Sequence, residues 1–449
     1  MEQVNHKSFE TTLTRFRFAS GSNASVIMLV LPLPVYRSPE GLFIDAQAYN
    51  GLHHWLTNFG KMILCLPELP IASAPANVVP LAPEAFDGRY RIVCLPDRRR
   101  PIGFFRDLAS VTRTLDAALD ESTHRCFAIG GLFGDWGAIA ALRAHRKRLA
   151  SSVWADRVES QVTRFAAQQS HGPRKLLRLS TAIAMKYLER AVIRRTALGL
   201  FHGADCYEAY ARFSASPHIV HNIHLSSSAR ISPDALAAKV EHRRGPMRIV
   251  YAGRAHAEKG VLDWVETLRR IAARGVAFDA TWYGDGPDLA AARAAVSQAG
   301  LERQIAFPGA MHDRSALMRA LREADIFLFC HKTPESPRCL IEALISGTPI
   351  IGYDSAYPRD LIHKHQGGRL TEGNPTALAD AVVGLAADKA ALGALTRNAA
   401  ADGYPFTDEE VFRHRADLIR AATDAAGVRA TRPSRKQRWR YANAMLGRA

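Results

Sequence analysis

Short runs of valine, isoleucine and leucine alternate along this chain of 449 residues with longer segments whose apolar residues recur at helical spacing. Such alternation is typical of βαβ units, in which a buried parallel strand is followed by a helix that covers the sheet. The pattern is most regular in the second half. It predicts strands at 247–252, 278–283, 305–308, 326–330 and 349–353, helices at 261–274, 289–299, 315–323 and 337–346, and further helices after Tyr357 and Pro375.

The first half is less regular but has the same character. It predicts strands at 26–33, 62–66, 91–95, 126–130 and 198–201, each followed by a polar or glycine-rich loop. The fold class predicted for the whole chain is α/β, with two doubly wound, Rossmann-like domains that face each other across a cleft. Ligands of such sheets bind beyond the carboxyl ends of the strands, so the loops at those ends are the first place to look for chemistry.

A serine- and alanine-rich stretch followed by charges and Gly245-Pro246 separates the two halves. We therefore expect a domain at 25–225, a link at 226–245 and a second domain at 246–405. A helical pattern within 406–425 is expected to cross back to the first domain. The remaining segments are an N-terminal extension, 1–24, and a basic tail, 426–449.

Composition excludes several classes of protein. Hydrophobic residues make up 47% of the chain and charged residues 23%, which is typical of a folded protein and not of a disordered one. The six cysteines are scattered, with no C-x-x-C pair and no histidine at zinc spacing, so we expect reduced thiols and no structural metal. The apolar run at 26–35 is too short to span a bilayer and lacks a cleavage site, and we expect a cytoplasmic protein.

The net charge of +16 is concentrated in two segments. Residues 143–195 contain 13 lysines and arginines against three acidic residues, and residues 429–449 contain seven basic residues and no acid. Such patches predict an acidic partner, either an anionic membrane surface or a phosphorylated substrate. Nucleic acid is the less favoured partner, because no helix-turn-helix, zinc or RNA-binding signature accompanies the charge.

The segment 172–195 within the first basic patch is predicted to form an amphipathic helix. Cations surround an apolar stripe at helical spacing, formed by Leu176, Leu179, Ile183, Tyr187 and Ala191. A basic amphipathic helix binds anionic membranes. The alternative is an ordinary surface helix whose stripe packs into the core.

Three loops after predicted strands of the second half carry candidate chemistry. Gly253-Arg254, followed by Glu258-Lys259-Gly260 at a helix start, places two cations beside free backbone N–H groups and predicts an anion site. Gly284 and Gly286 allow a tight turn with close backbone approach. In the third loop, Ser336 fits an N-cap and Pro337 the first helical position, so that the N–H groups of this helix would face the cleft.

Two acidic residues belong to this third loop and the helix that follows it. Glu335 immediately precedes the helix. Glu342 lies within it, among Leu340, Ile341, Leu344 and Ile345. A carboxylate in an apolar helix needs a polar partner, and sugar hydroxyls would serve. The alternative is a solvent-facing glutamate on an amphipathic helix.

Taken in this order, the motifs resemble the retaining nucleotide-sugar glycosyltransferases of group 1, family 4, with the GT-B fold, over about 248–385. The resemblance implies that Arg254 and Lys259 neutralise the donor diphosphate, Glu342 binds the ribose and Glu335 contacts the transferred sugar. It also implies a donor site lined by Gly253, Gly284, Gly286, Ser336, Pro337 and Arg338. Six residues separate the two glutamates, whereas the family usually has seven.

The first half resembles the family only loosely. Asp135, in a glycine-rich segment after the fourth strand, stands where the family often has a catalytic histidine or aspartate near the donor sugar. Asn222 lies before the link and resembles an Asn-Gly segment of the family. The alternatives are that Asp135 caps a helix and that Asn222 holds a turn.

The function implied by the resemblance is transfer of a hexosyl unit from a nucleotide-diphosphate sugar to a glycan or lipid-linked acceptor, in surface polysaccharide or glycolipid synthesis. Retention of configuration and independence of metals or other cofactors are implied with it. Two alternatives remain open from the sequence: a nucleotide-sugar epimerase of the same fold, and an inactive relative that serves as a membrane-associated scaffold.

Overall fold

The computed structural model describes residues 25–431, except 76, 83–84, 242–244, 312 and 334. The predicted N-terminal extension and residues 432–449 of the predicted basic tail lie outside the described residues. Two sheets dominate the described part, each covered by helices on both faces. The α/β fold class with two parallel, doubly wound sheets is thereby confirmed.

Ten strands form the first sheet within the described residues. They are β1 (Val26–Val30), β2 (Val35–Ser38), β3 (Gly41–Asp45), β4 (Lys61–Pro70), β5 (Val78–Pro80), β6 (Tyr90–Pro96), β7 (His124–Ala128), β8 (Ser152–Ala155), β9 (Leu198–His202) and β10 (Pro217–Val220). The order is β10-β9-β8-β7-β1-β4-β2-β3-β5, with β6 also paired to β4. All pairs are parallel except β2–β3 and β3–β5.

Helices cover both faces of this sheet because alternate residues of its strands point to opposite sides. The helices are α1 (Ala46–Asn58), α2 (Pro101–Glu121), α3 (Trp136–Arg146), α4 (Glu159–Gln168), α5 (Gly172–Ile193) and α6 (Gly203–Tyr210). In β1, Met28 and Val30 share a buried cluster with α2, α3 and α5. Ile27 and Leu29 of the same strand face the cluster that contains Trp55 of α1.

The second sheet is entirely parallel, in the order β13-β12-β11-β14-β15-β16. Its strands are β11 (Met247–Ala252), β12 (Phe278–Tyr283), β13 (Ile305–Gly309), β14 (Ile326–Phe329), β15 (Ile350–Tyr353) and β16 (Gly368–Thr371). The accompanying helices are α7 (Pro233–Glu241), α8 (Val261–Ala273), α9 (Leu289–Gln298), α10 (Arg314–Glu323), α11 (Arg338–Ile345), α12 (Ala356–Ile362), α13 (Pro375–Ala387), α14 (Lys389–Gly403) and α15 (Asp408–Thr431).

Two segments connect the halves. The segment 226–245, expected to be a link, contains α7, which packs on α14, and Ile231 N donates a hydrogen bond to Ile345 O at 2.9 Å. This stretch is therefore attached to the second sheet. The last helix, α15, returns to the first sheet, where it contacts α1, β7, β9 and β10. Within residues 25–431, less the undescribed positions, no helix is long and apolar enough to cross a membrane.

The six cysteines are free, and four of them are fully buried: Cys65 in β4, Cys126 in β7, Cys206 in α6 and Cys330 just after β14. Burial raises the pKa of the thiols of Cys65, Cys94, Cys126 and Cys339 to about 12. Because the thiolate is the reactive form, we expect a disulfide reagent at pH 8 to react slowly with the native protein. In denaturant all six thiols are expected to react at once, and rapid labelling of the native protein would contradict this result.

Candidate functional site

The loops after β11 and β12 pack backbone against backbone at the carboxyl edge of the second sheet. Gly253 N donates to Tyr283 O and Ala255 N to Asp285 O, both at 2.9 Å. A Cβ on Gly284 would lie 2.0 Å from Gly253 O, and one on Gly286 would lie 2.2 Å from Ala255 O. These distances exclude any side chain. The contact between the two loops thus accounts for both glycines without a ligand.

Two cations lie beside these loops. Arg254 is exposed, and its side chain forms no hydrogen bond or ion pair with another described residue. Lys259 is nearly buried and forms an ion pair with Glu335. The helix that follows, α8, begins at Gly260, which has φ of +68° and no room for a Cβ because Cys330 O would lie 2.2 Å from it. No side chain caps this helix, so its first N–H groups stay available to an anion.

A buried histidine supports Glu335 from the end of β14. The hydroxyl of Tyr251 and Nε2 of His331 share a hydrogen bond of 2.8 Å, and Nδ1 of His331 lies 3.8 Å from Oε1 of Glu335. Burial, with a smaller contribution from Lys259, holds the pKa of His331 well below its usual value. The imidazole is therefore neutral at physiological pH. The charged side chains near the start of α8 include Lys259, Glu335 and the buried Glu258.

Glu342 is buried within α11, with 4% of its surface exposed. The alternative of a solvent-facing glutamate is therefore wrong. The side chain has a polar partner, as a carboxylate in an apolar helix requires, and this partner is Arg314 at the start of α10. Arg314 contacts only Oε1. The second carboxylate oxygen has no hydrogen bond from another described residue and can accept one from a ligand.

The start of α11 differs from the prediction. Pro337 is the N-cap and Arg338 the first helical residue, so Ser336 is not the cap and Pro337 is not the first helical position. Ser336 is buried, and its hydroxyl donates to the backbone carbonyl of His202 at the end of β9. This bond to the other sheet draws Ser336 away from the helix. Arg338 is half-buried and makes no hydrogen bond or ion pair with the described residues.

Further contacts join the carboxyl edges of the two sheets. Arg157, just after β8, pairs with Glu335 in an isolated antiparallel bridge. Asp205 of α6 accepts hydrogen bonds from the backbone N–H groups of Ala356 and Tyr357, at 3.3 and 3.2 Å, and so caps α12 of the other sheet. The site at Glu335 thus lies where the two sheets meet.

Asp135 occupies the loop between β7 and α3 as a helix cap. Its carboxylate accepts backbone hydrogen bonds from Ala138 at 2.8 Å and from Gly130 and Gly131 at 3.0 Å. Burial raises the pKa of this carboxyl group. The contacts seen for Asp135 are those of the structural alternative, and its catalytic role stays a prediction.

Replacing Asp135 with asparagine separates these two roles. The side-chain nitrogen of asparagine is a donor, and it would face backbone N–H groups that now donate to the carboxylate. We therefore expect the free energy of unfolding to fall by about 1–2 kcal/mol. We expect turnover per folded molecule to stay within about twofold of wild type. Urea unfolding and a transfer assay measure the two effects, with the exposed Asp279→Asn as control. A large loss of turnover in a stable variant would instead indicate a catalytic Asp135.

Asn222 forms hydrogen bonds through both its backbone and its side chain. Its N–H donates to Nε2 of His202 at 3.0 Å, and its side-chain oxygen accepts from Arg415 of α15 at 3.5 Å. These contacts fit the alternative in which Asn222 holds a turn. Among the described residues, no group of three or more histidine, cysteine, aspartate or glutamate side chains is arranged to hold a metal ion.

The predicted basic helix spans the 22 residues of α5, but its apolar stripe is largely exposed. Leu176, Ile183 and Tyr187 are 71%, 57% and 67% exposed. The alternative that this stripe packs into the core is wrong for these three residues. Another row faces the protein, formed by Ala182, Met185, Glu189, Val192 and Ile193. Apolar spacing alone does not distinguish the two rows.

The structure thus brings Arg254, Lys259, Glu335, Arg338 and Glu342 to one edge of the second sheet, and places Asp135 in a cap on the first. Sequence reasoning missed Arg157, Asp205, Arg314 and His331. Only His331 had a usable signal, because it follows a strand at the carboxyl edge of a doubly wound sheet. The other three are recognised through contacts between distant segments.

Comparison with known proteins supports the motifs of the second half. Residues 246–388 match the family model "Glycosyl transferases group 1". The 2-deoxystreptamine glucosyltransferase of Streptomyces kanamyceticus is 34% identical over 111 residues, which are 24% of this chain and 28% of the relative. The 2-deoxystreptamine N-acetyl-D-glucosaminyltransferase of Streptomyces fradiae is 31% identical over 180 residues, 39% of this chain and 37% of the relative. The chain thus spans about a third of the length of these relatives.

Solved structures match over both sheets. HepE of Anabaena, in complex with UDP, aligns with 89% of this chain and all of its own, with a TM-score of 0.61 and 13% identity. WaaG, a glycosyltransferase involved in lipopolysaccharide biosynthesis, aligns with 88% of this chain and 99% of its own, with a TM-score of 0.57 and 13% identity. At this level of identity the likeness concerns the fold.

Proposed function

Because residues 246–388 form a group 1 glycosyltransferase domain in a chain of GT-B fold, we propose that the protein moves a hexosyl unit from a nucleotide-diphosphate sugar to a glycan or lipid-linked acceptor. The observation that carries the proposal is the unpaired Arg254. It lies at the carboxyl edge of the second sheet, beside Lys259 and the uncapped start of α8. This edge is where ligands of doubly wound sheets bind.

A diphosphate suits this place for electrostatic reasons. When the bond between the sugar and the diphosphate breaks, negative charge develops on the leaving group. Arg254, Lys259 and the N–H groups at the start of α8 are positioned to stabilise that charge before the reaction begins. We propose that these groups replace the metal ion on which some glycosyltransferases depend, and that configuration is retained. The configuration of the product's anomeric carbon, read by NMR, tests retention.

The two glutamates are assigned to the hydroxyl groups of the donor. Glu342 keeps one carboxylate oxygen without a partner among the described residues while Arg314 holds the other, so it can accept a hydrogen bond from a ribose hydroxyl. Glu335 is held in the same way by Lys259 and is proposed to contact the transferred sugar. In both cases the contact with a cation orients the carboxylate.

The donor site is tested by thermal unfolding with UDP, GDP and ADP in EDTA. Ligand at 100 times its Kd stabilises a protein by about 2.7 kcal/mol, which raises the midpoint by several degrees. We expect one of the three nucleotides to raise the midpoint of wild type and of the exposed control Glu323→Gln. The same nucleotide is expected to raise the midpoint of Glu342→Gln much less. If none of the nucleotides shifts the wild-type midpoint, the proposed donor site is wrong.

For the acceptor we propose a lipid-linked molecule at an anionic membrane surface, as in surface polysaccharide or glycolipid synthesis. The exposed leucine, isoleucine and tyrosine on α5 lie among Arg174, Lys175, Arg178 and Lys186. Apolar side chains rimmed by cations match the interface of an anionic bilayer.

Flotation with anionic vesicles tests this acceptor proposal. We expect wild type to float and the variant with Arg174, Lys175, Arg178 and Lys186 changed to glutamate to stay in the soluble fraction. The matched control changes four exposed arginines of the second domain to glutamate, Arg248, Arg269, Arg303 and Arg319, and is expected to float. If wild type also stays in solution, membrane docking is wrong while the donor site is unaffected.

A further inference from the structure

The first turn of α2 exposes two large apolar side chains. Ile102 is 86% and Phe105 62% exposed. Between them, Phe104 is buried and stacks on Trp136, with ring centroids 5.1 Å apart. This contact fixes the rotation of the helix about its axis, so Ile102 and Phe105 are held outward. Phe105 also meets the ring of Phe133, at 6.0 Å, which extends the apolar surface.

Arginines surround this surface, which we define as the α2 patch: Ile102, Phe105, Phe133 and the exposed Arg99, Arg100 and Arg106. The segment 97–107 has four arginines and two aspartates. Both aspartates are engaged in ion pairs with arginines of the segment. The side chain of Arg100 forms no hydrogen bond or ion pair with another described residue. The excess charge is therefore positive and accessible to an anionic partner.

The α2 patch lies at the carboxyl edge of the first sheet. The helix begins directly after β6, which is parallel to β4, and Arg98 O would lie 2.7 Å from a Cβ on Gly134 in the loop after β7. The carboxyl edge of the same sheet also holds Arg157, which pairs with Glu335 of the second domain. The patch is thus on the same side of the first domain as the proposed donor site.

The exposed end of α5 lies on that side too. The turn that ends α5, with Arg195 N donating to Val192 O at 2.9 Å, leads directly into β9. The helix therefore ends at the amino edge of the sheet, and its start lies toward the carboxyl edge. Near that edge Glu189 accepts from Ser160 at the start of α4, and Arg178 contacts Ser170 beyond the end of α4. The eleven residues from 178 to 189 span about 16 Å, so the start of α5 projects beyond the sheet.

Building on the proposed function, we propose that the α2 patch is a second membrane contact, which binds the interface of an anionic bilayer together with the start of α5. Six of the eight large hydrophobic residues that are exposed in the described part of the chain belong to α2 and α5: Ile102, Phe105, Leu176, Leu177, Ile183 and Tyr187. Two membrane contacts on one side of the first domain fix the orientation of the protein on the bilayer. A single helix in contact with the bilayer does not.

That orientation turns the starts of α2 and α5, on the face of the first sheet that both helices cover, toward the bilayer. The reactive head of a membrane-borne acceptor then reaches the cleft from the same side, without leaving the lipid phase. Charge complementarity favours a bilayer as the occupant of the patch, because the arginines match anionic headgroups and the apolar side chains match the acyl boundary.

A fluorescent label at position 102 tests the proposal. The native thiols are buried or have a raised pKa, so Ile102→Cys can be labelled selectively with an environment-sensitive dye. With vesicles of phosphatidylglycerol and phosphatidylcholine we expect a blue shift and a several-fold rise in emission. The control Leu262→Cys, at an exposed leucine of the second domain, is expected to show no change.

A second variant removes the apolar side chains while keeping the arginines. We expect Ile102→Ser with Phe105→Ser to weaken partition into anionic vesicles by about tenfold to a hundredfold, and Leu262→Ser to leave it unchanged. Both positions are exposed, so the midpoint of thermal unfolding and its shift by nucleotide are expected to stay as in wild type.

Three results would overturn the proposal. The first is a dye spectrum that vesicles leave unchanged although wild type floats with them. The second is a double serine variant that partitions into vesicles as strongly as wild type. The third is a label that responds to protein concentration instead of vesicles, which would indicate contact between copies of the chain. In each of these cases a persisting nucleotide shift leaves the proposed transferase function standing. If no nucleotide shifted the unfolding midpoint of wild type, the proposed transferase function would be contradicted and the membrane contact would not.

Discussion

Replacing Arg254 with alanine is expected to lower kcat for glycosyl transfer by about 10²- to 10³-fold. This is the usual effect of removing one preorganised group that stabilises charge in a transition state. Arg254 has no partner among the described residues, so its removal leaves no buried group unsatisfied. The midpoint of thermal unfolding without ligand is therefore expected to change little. Steady-state kinetics with the donor identified by thermal shift provides the measurement.

The control for this experiment is Arg248→Ala, on the strand β11 that precedes the Arg254 loop. Its guanidinium is 58% exposed and lies 3.8 Å from Glu323, remote from the carboxyl end of β11. We expect kcat within twofold of wild type. If Arg254→Ala retained more than a third of wild-type kcat, stabilisation of the leaving group by this arginine would be refuted.

Replacing Gly286 with alanine is expected to lower the free energy of unfolding by about 1–3 kcal/mol, the usual cost of overpacking. The added Cβ would lie 2.2 Å from Ala255 O, which is backbone and has no rotamer to change. The loop that carries Arg254 must then move, so we also expect the affinity for the nucleotide to fall at least tenfold. Urea unfolding and nucleotide titration measure the two effects.

Gly373→Ala is the matched control, because nothing lies within 4 Å of its added Cβ. Its stability and nucleotide affinity are expected to stay near wild type. A Gly286→Ala variant with wild-type affinity would show that the spacing between the β11 and β12 loops does not position Arg254.

Much of the second sheet was predictable to within a residue. The strands β11 and β12 were predicted with the bounds they have, because each is a mostly apolar segment between turn-forming residues, with one exposed charged residue, Arg248 or Asp279, near its start. The first sheet was harder. The prediction missed β8 and β10, which have only four residues each, and the strands β2, β3 and β5, which form the antiparallel pairs and whose faces are partly exposed.

The sequence indicated which edge of the second sheet carries the candidate site, but it did not indicate which side chains pair there. Glycines and cations after β11 and β12 indicated the carboxyl edge of the sheet, where the structure brings Arg254, Lys259 and Glu335 together. The hydroxyl of Ser336 donates to a carbonyl 134 residues earlier in the chain, and the partner of Glu342 lies 28 residues before it. Local preference made Ser336 a good N-cap, and the contact with the other sheet overrode it. Such pairings depend on the packing of distant segments, which local sequence patterns do not encode.

The return of α15 to the first sheet has a consequence for how this protein is made. Phe412 packs on Trp55, and the buried guanidinium of Arg415 lies 4.8 Å from the centre of the Trp154 ring, so residues of the last described helix complete the core of the first domain. During synthesis on the ribosome this core stays incomplete until about 200 further residues have been translated, which takes roughly 10–40 s. The second domain, with all six of its strands already synthesised, is then free to mature first. Nascent chains therefore expose one face of the first sheet throughout that interval, when a chaperone has its best opportunity to bind.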